Sequence, residues 1–170
     1  LKDITAHAKK MGARSAVMTR LEQVVDELLM NAMYDAPAAR EGYTTMEQRE
    51  AIKEGKVEDV TLRFGCDGRY LVVSATDRYG ELRKNDIFQH LARARQERAP
   101  KEDRRNGAGL GLFIVLSSVN RFIANIDEGR QTEVVCVFDL MQSGRTVENV
   151  AKSVHVFDGG TRKGGSREVA

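Results

Sequence analysis

Between residues 14 and 34 the apolar positions fall at helical spacing. Val17, Leu21, Val24, Val25, Leu28, Leu29 and Ala32 form one stripe and predict an amphipathic helix. Ala36-Pro37 is expected to stop it, because the residue before a proline is pushed out of helical conformation. A second, more polar helix is predicted over 45–54, with Thr45 as its cap, Gln48 three residues on and Gly55 at its end. Its Met46, Glu47, Arg49 and Glu50 read as an exposed surface. The period then changes to two. Val60, Leu62 and Phe64 alternate with Thr61 and Arg63 as a half-buried strand, Asp67-Gly68 supplies a hairpin turn, and 70–76 returns as an apolar strand. In the polar stretch 81–106, Ile87, Phe88 and Leu91 mark a short helix with an apolar anchor. A buried helix is predicted from Gly111 to about Val119. Strands over 122–126 and 132–140 follow, joined by a turn at Glu128-Gly129-Arg130. Val154, Val156 and Phe157 mark an edge strand, and the Gly/Arg/Lys-rich end from Gly159 reads as a loose tail.

The order helix, helix, hairpin, lid-like segment, helix, hairpin predicts an α+β fold. It is a two-layer α/β sandwich whose mixed, largely antiparallel sheet is covered on one face by helices. A doubly wound parallel sheet would need strand–helix alternation throughout. At 170 residues and 19.0 kDa the chain fits one globular domain, with residues 1–142 as its body and 143–170 as edge strand and tail. Twenty-seven basic and twenty-five acidic residues leave a net charge of +2, so no global excess argues for nucleic acid. Aromatics at 6% and the lack of Trp argue against a platform for stacking bases or sugars. No apolar run approaches the ~18 residues of a membrane span. Cys66 and Cys136 are too few for a disulfide framework or a zinc site; they read as small buried hydrophobes in a reducing compartment, the cytoplasm. A chain that begins at Leu1 is expected to be cut from a longer parent.

Three clusters carry chemistry. Glu27 and Asn31 stand four residues apart, ~40° around the helix, on one edge of the apolar stripe. There a carboxylate can orient or deprotonate a water while an amide oxygen ligates Mg²⁺. Asp77 ends the apolar strand and is followed by Arg78-Tyr79-Gly80. An ionised carboxylate only accepts hydrogen bonds, so at that place it favours an exocyclic amine such as the N6 of adenine. In the third cluster, Gly107-Ala108-Gly109-Leu110-Gly111-Leu112, alternate glycines let backbone N–H groups approach an anion, and the next helix offers its positive N-terminus. The interleaved leucines anchor the loop to the core. This spacing is neither the dinucleotide fingerprint nor a Walker loop.

Together the clusters resemble the GHKL ATPase superfamily (Bergerat fold), which includes sensor histidine kinases, anti-sigma-factor serine kinases, type II topoisomerases and mismatch-repair ATPases. The similarity runs over residues 17–140. ELLMNA at 27–32 resembles the Asn-containing helix box, DRYGEL at 77–82 the first glycine box and GAGLGL at 107–112 the second. GRQTEVVCVFDL at 129–140 resembles the closing strands, with Thr132 at the position of the Thr near the adenine. The resemblance implies a histidine-kinase-like or anti-sigma-factor-kinase-like ATP site. Asn31 would ligate Mg²⁺, Glu27 would polarise a water or hydroxyl, and Asp77 would read the adenine amine with Thr132 and a bridging water. Gly80, Gly107, Ala108, Gly109, Leu110, Gly111 and Leu112 would border the nucleotide, and residues 81–106 would be the ATP lid. Eight basic against five acidic residues suit that lid to a polyphosphate.

The chain departs from the family in three places. Its first glycine box holds Gly80 alone, Tyr34 stands where histidine kinases carry a basic residue, and His7 lacks the surroundings of a phospho-accepting histidine. His90 and His155 read as surface residues. The functional expectation is therefore an ATP/Mg²⁺-binding regulatory domain with kinase-type chemistry, acting on a protein partner or on another domain of its parent chain. The alternative is a nucleotide-gated interaction module with little or no turnover. An ATP-driven clamp ranks below both, since it needs a transducer domain. The similarity is compatible with a homodimer, and nucleic acid is the least favoured partner.

Overall fold

The computed structural model describes residues 1–42, 44–55, 59–96, 110–141 and 153–159. Helices α1 (Lys2–Lys10) and α2 (Ser15–Met30) lead into a π-helical turn, Asn31–Asp35, and then α3 (Ala36–Glu41) and α4 (Thr45–Lys53). The hairpin β1 (Thr61–Cys66) and β2 (Tyr70–Asp77) precedes α5 (Lys84–Gln96) and α6 (Leu110–Ser118). Strands β3 (Arg121–Asp127), β4 (Gln131–Asp139) and β5 (Ser153–Asp158) close the order. The five strands form one sheet in the order β1-β2-β4-β3-β5, antiparallel except for the parallel β3–β5 pair. The described fold is therefore mixed α/β, with a mostly antiparallel sheet and β1 and β5 at its edges.

Strand register explains the core. Val73 faces Cys136 across β2–β4, and Cys136 faces Phe122 across β4–β3, so one row of small and large apolar side chains lies on one face. Leu71, Ala75, Phe138, Ala124 and Ile126 extend this face, and all are buried. The α2 stripe meets it with Val17, Leu21, Val24, Val25 and Leu28, and α6 adds Leu112, Val115 and Leu116. Fully burying each large apolar side chain contributes ~1.5–3 kcal/mol, which is why the period of the stripe dictates the docking face of the helix. Among the described residues no helix is long and apolar enough to cross a membrane.

The expected stop at Ala36-Pro37 does not occur. The Ala36 N–H bonds back five residues to the Asn31 carbonyl, and the chain passes through the π-turn into α3 with Pro37 in its first turn. A proline inside an α-helix clashes with the carbonyl four residues back, and the wider turn relieves that clash. The missing Pro N–H then falls among donors that a helix start leaves unpaired anyway.

Four smaller expectations also change. The cap of α4 is Thr44 rather than Thr45. Its hydroxyl accepts from the Glu47 N–H while the Glu47 carboxylate accepts from the Thr44 N–H, and Gly55 follows with φ +68°. Phe64 on edge strand β1 is exposed (42%) and meets the His7 ring edge-on at 5.6 Å. Helix α5 is longer than expected; Ile87 is its buried anchor, whereas Phe88 is exposed beneath the Lys84 ammonium. Helix α1 was not expected, yet Ile4 and Ala8 are buried and Met11 packs against the same core, at i, i+4 and i+7.

Of the remaining expectations, the edge strand at 153–158 is present, and Cys136 is fully buried, which pushes its thiol pKa up. Cys66 is only half-buried. Residues 97–106 of the expected lid and most of the tail lie outside the described residues.

Candidate functional site

A cavity of about 600 Å³ opens between the end of α2, the π-turn and α3 on one side and α5 on the other. That volume falls within the usual range for small-molecule sites. Its apolar lining comes from Leu28, Ala32, Ala75, Leu112 and Val134. Asn31, Asp77 and Thr132 all reach it, although they come from segments far apart in the chain.

Asp77 is the last residue of β2 and pairs directly with Thr132 on β4. Its Oδ1 accepts hydrogen bonds from the N–H groups of Tyr79 (2.8 Å) and Gly80 (3.1 Å), an Asx-type turn that folds the chain back at the strand end. The nearby Thr132 backbone also favours the charged carboxylate. Burial outweighs these bonds and raises the Asp77 pKa. A carboxylate has about four lone-pair sites, so acceptor capacity remains for a ligand. Beside it the Thr132 hydroxyl is buried without a hydrogen-bond partner among the described residues. Leaving such a group unpaired costs ~1–3 kcal/mol, a deficit that a polar ligand would remove.

Gly80 adopts φ +66°. A Cβ there would collide with the Asp127 carbonyl oxygen and come within 2.6 and 2.8 Å of the Arg130 and Gln131 nitrogens. The Gly129 N–H donates to the Gly80 carbonyl at 3.1 Å, so this turn is seated in the β3–β4 turn.

At the opposite end, Glu27 and Asn31 meet the second residue of α6. A Cβ on Gly111 would collide with the Glu27 carboxylate and lie 3.5 Å from Asn31 Oδ1. The backbone of Gly111 thus sits where the carboxylate and amide point. Glu27 is half-buried, and its pKa is raised chiefly by desolvation, with the charges of Asp35 and Asp26 adding to it. Gly111→Ala is expected to push the Glu27 carboxylate aside without unfolding the domain, since Ala exceeds Gly in helix propensity by ~1 kcal/mol. Thermal unfolding should stay level or rise while any activity that depends on Glu27 falls.

Gly107, Ala108 and Gly109 lie outside the described residues, and of Leu110 only the backbone, which opens α6, is described. The structure also adds residues that the sequence reading overlooked. Asp35, Glu81, Asp86 and His90 line the cavity, so His90 is not simply a surface residue as expected. Arg40 on α3 donates through Nη1 to the carbonyls of Tyr79 (3.0 Å) and Gly129 (2.7 Å). A sequence signal was available for Asp35, which lies four residues beyond Asn31 as Asn31 does beyond Glu27. For Arg40 there was none.

In comparisons with known proteins, no family, no curated protein and no solved structure matches the chain.

Proposed function

We propose that the chain is an ATP- and Mg²⁺-binding regulatory domain of the GHKL type, with the Bergerat arrangement and kinase-type phosphoryl-transfer chemistry. Its acceptor would be a protein partner or another domain of its parent chain. One observation carries this reading: the buried Asp77 carboxylate, the orphaned Thr132 hydroxyl and the Asn31 amide converge on a single cavity. The residues fit the ligand at both ends. Asp77 and Thr132 supply an acceptor and an unused hydroxyl for an aminopurine edge. Asn31 offers an amide oxygen suited to a hard cation, and the lack of a side chain on Gly111 lets the Glu27 carboxylate lie beside it.

The chain's own contribution is positioning. Asp77 accepts the exocyclic amine, and the Asx-type turn holds its carboxylate in place. Asn31 holds the metal end at the start of the π-turn. Glu27, with its raised pKa, takes the proton of the attacking hydroxyl, because a carboxylate with a higher pKa is the stronger base. When bound, Mg²⁺ supplies charge neutralisation along the polyphosphate.

The experiment is calorimetric titration of the protein with ATP and ADP, with and without Mg²⁺. Saturable, metal-dependent binding is expected, and no binding at millimolar nucleotide rejects the proposal. Asn31→Ala should remove the metal dependence while leaving adenosine binding intact. Glu27→Gln should spare affinity and lower turnover by ~10²–10⁴-fold, the usual contribution of a general base. A second reading, a nucleotide-gated interaction module, is favoured by the closely seated turn at Gly80, the only glycine of the first box. Metal-dependent binding without turnover in the wild type selects it.

A further inference from the structure

One peptide plane links Arg40 to Asp77. The Tyr79 carbonyl accepts from Arg40 Nη1, and the N–H of the same peptide unit, on Gly80, donates to Asp77 Oδ1. A peptide group is planar, so fixing its oxygen fixes the direction of its N–H. We propose that Arg40 is a positioning residue for base recognition, holding the 79–80 peptide so that Asp77 presents its remaining acceptor capacity to the exocyclic amine of an aminopurine. The proposal rests on the nucleotide reading above and adds to it a residue outside the three sequence boxes.

The geometry gives Arg40 two anchors. The same Nη1 also donates to the Gly129 carbonyl, and the Gly129 N–H donates to the Gly80 carbonyl. The guanidinium therefore ties three pieces of chain together: α3, the turn after β2 and the turn between β3 and β4. It also places a positive charge at the oxygen end of the peptide whose hydrogen end meets a carboxylate. Both hydrogen bonds of that peptide are charge-assisted, and charge-assisted bonds are roughly twice as strong as neutral ones. Since Asn31 opens the π-turn that leads into α3, residues 31–40 carry the metal-facing amide at one end and the clamp on the base-reading turn at the other.

Two measurements test this. The first is the ratio of ATP to ITP affinity, because hypoxanthine has a carbonyl where adenine has its amine. Arg40→Ala should lower that ratio ~5–10-fold, in line with loss of one partly exposed charge-assisted bond. Arg40→Lys, which keeps a cationic donor, should restore much of it. The second is the amide proton resonance of Gly80 in the nucleotide-free protein, which should move upfield in Arg40→Ala as its bond to Asp77 weakens and return in Arg40→Lys. An unchanged Gly80 resonance overturns the proposal, as does an unchanged ratio in Arg40→Ala when the wild type discriminates. If the wild type binds ATP and ITP equally, base reading by Asp77 fails and this role of Arg40 fails with it. A Gly80 shift would then still register the peptide link, so the two failures remain distinct.

Discussion

Replacing Gly80 by alanine is expected to destabilise the protein by at least ~3 kcal/mol. A left-handed conformation alone costs a non-glycine residue ~1–2 kcal/mol. The larger part comes from contact: the added methyl meets the Asp127 carbonyl oxygen and the backbone nitrogens of Arg130 and Gln131. These are backbone atoms of the β3–β4 turn, so no side chain can swing away to make room. Relief requires the two turns to part, which breaks the Gly129–Gly80 hydrogen bond and loosens the Arg40 contacts. At ~2–4 °C per kcal/mol for a chain of this size, the melting temperature should fall by at least ~6–12 °C. Urea unfolding followed by circular dichroism measures the change. A loss below ~1 kcal/mol would show that the turn adapts and that the seat is not rigid.

Asp77→Asn should have the largest effect on ligand binding and little on the fold. In the wild type Oδ1 is committed to the N–H groups of Tyr79 and Gly80. An amide must keep its oxygen toward those donors, which turns its NH₂ toward the cavity and against the adenine amine. ATP affinity should drop ~10–100-fold, matching the ~1.5–3 kcal/mol of a hydrogen bond to a charged group. ITP should lose far less, so the preference for adenine weakens or inverts. Calorimetry with both nucleotides reads this directly, and equal losses for the two would remove Asp77 from base recognition.

Stability provides the control for Asp77→Asn. Burial raises the Asp77 pKa, so the folded state binds more protons than the unfolded state between the ordinary carboxylate value and the raised one. This carboxylate therefore weakens the fold as pH rises through that window, and the penalty persists above it. The amide carries no such penalty but gives up the charge that the Tyr79 and Gly80 N–H groups favour. The two effects oppose each other, and unfolding at neutral pH should change by no more than ~1 kcal/mol. Relative to wild type, the variant should gain stability as pH increases across the window.

The parts of the fold legible in the sequence were those set by local periodicity. Val17, Leu21, Val24, Val25 and Leu28 announce α2 because a 3.6-residue repeat leaves only one face to bury. The strands from β2 to β4 follow from apolar alternation and from turn residues whose conformations are local, such as Asp67-Gly68 and Glu128-Gly129-Arg130. Helix α1 was missed because two buried positions in a basic segment make a faint stripe. Phe64 and Phe88 misled for the opposite reason, since hydrophobicity marks a candidate for burial without specifying which strand edge or helix flank stays uncovered. Pro37 misled because helical conformation before a proline is disfavoured but not forbidden, and Ala36 keeps it at φ −65° and ψ −49°.

For the candidate site, the sequence by itself determined the chemical inventory: Glu27 and Asn31 one turn apart, Asp77 at a strand end, Thr132 at the start of another strand, and Gly111 opening a helix. These are properties of neighbours within a few residues. Only the tertiary structure decided that Asn31, Asp77 and Thr132 share a cavity, that the Thr132 hydroxyl has no partner among the described residues, that Gly80 has no room for a side chain, and that Arg40 bonds to the turn behind Asp77. Each depends on strand register and on helix docking across the sheet, contacts between residues dozens of positions apart that no local spacing encodes.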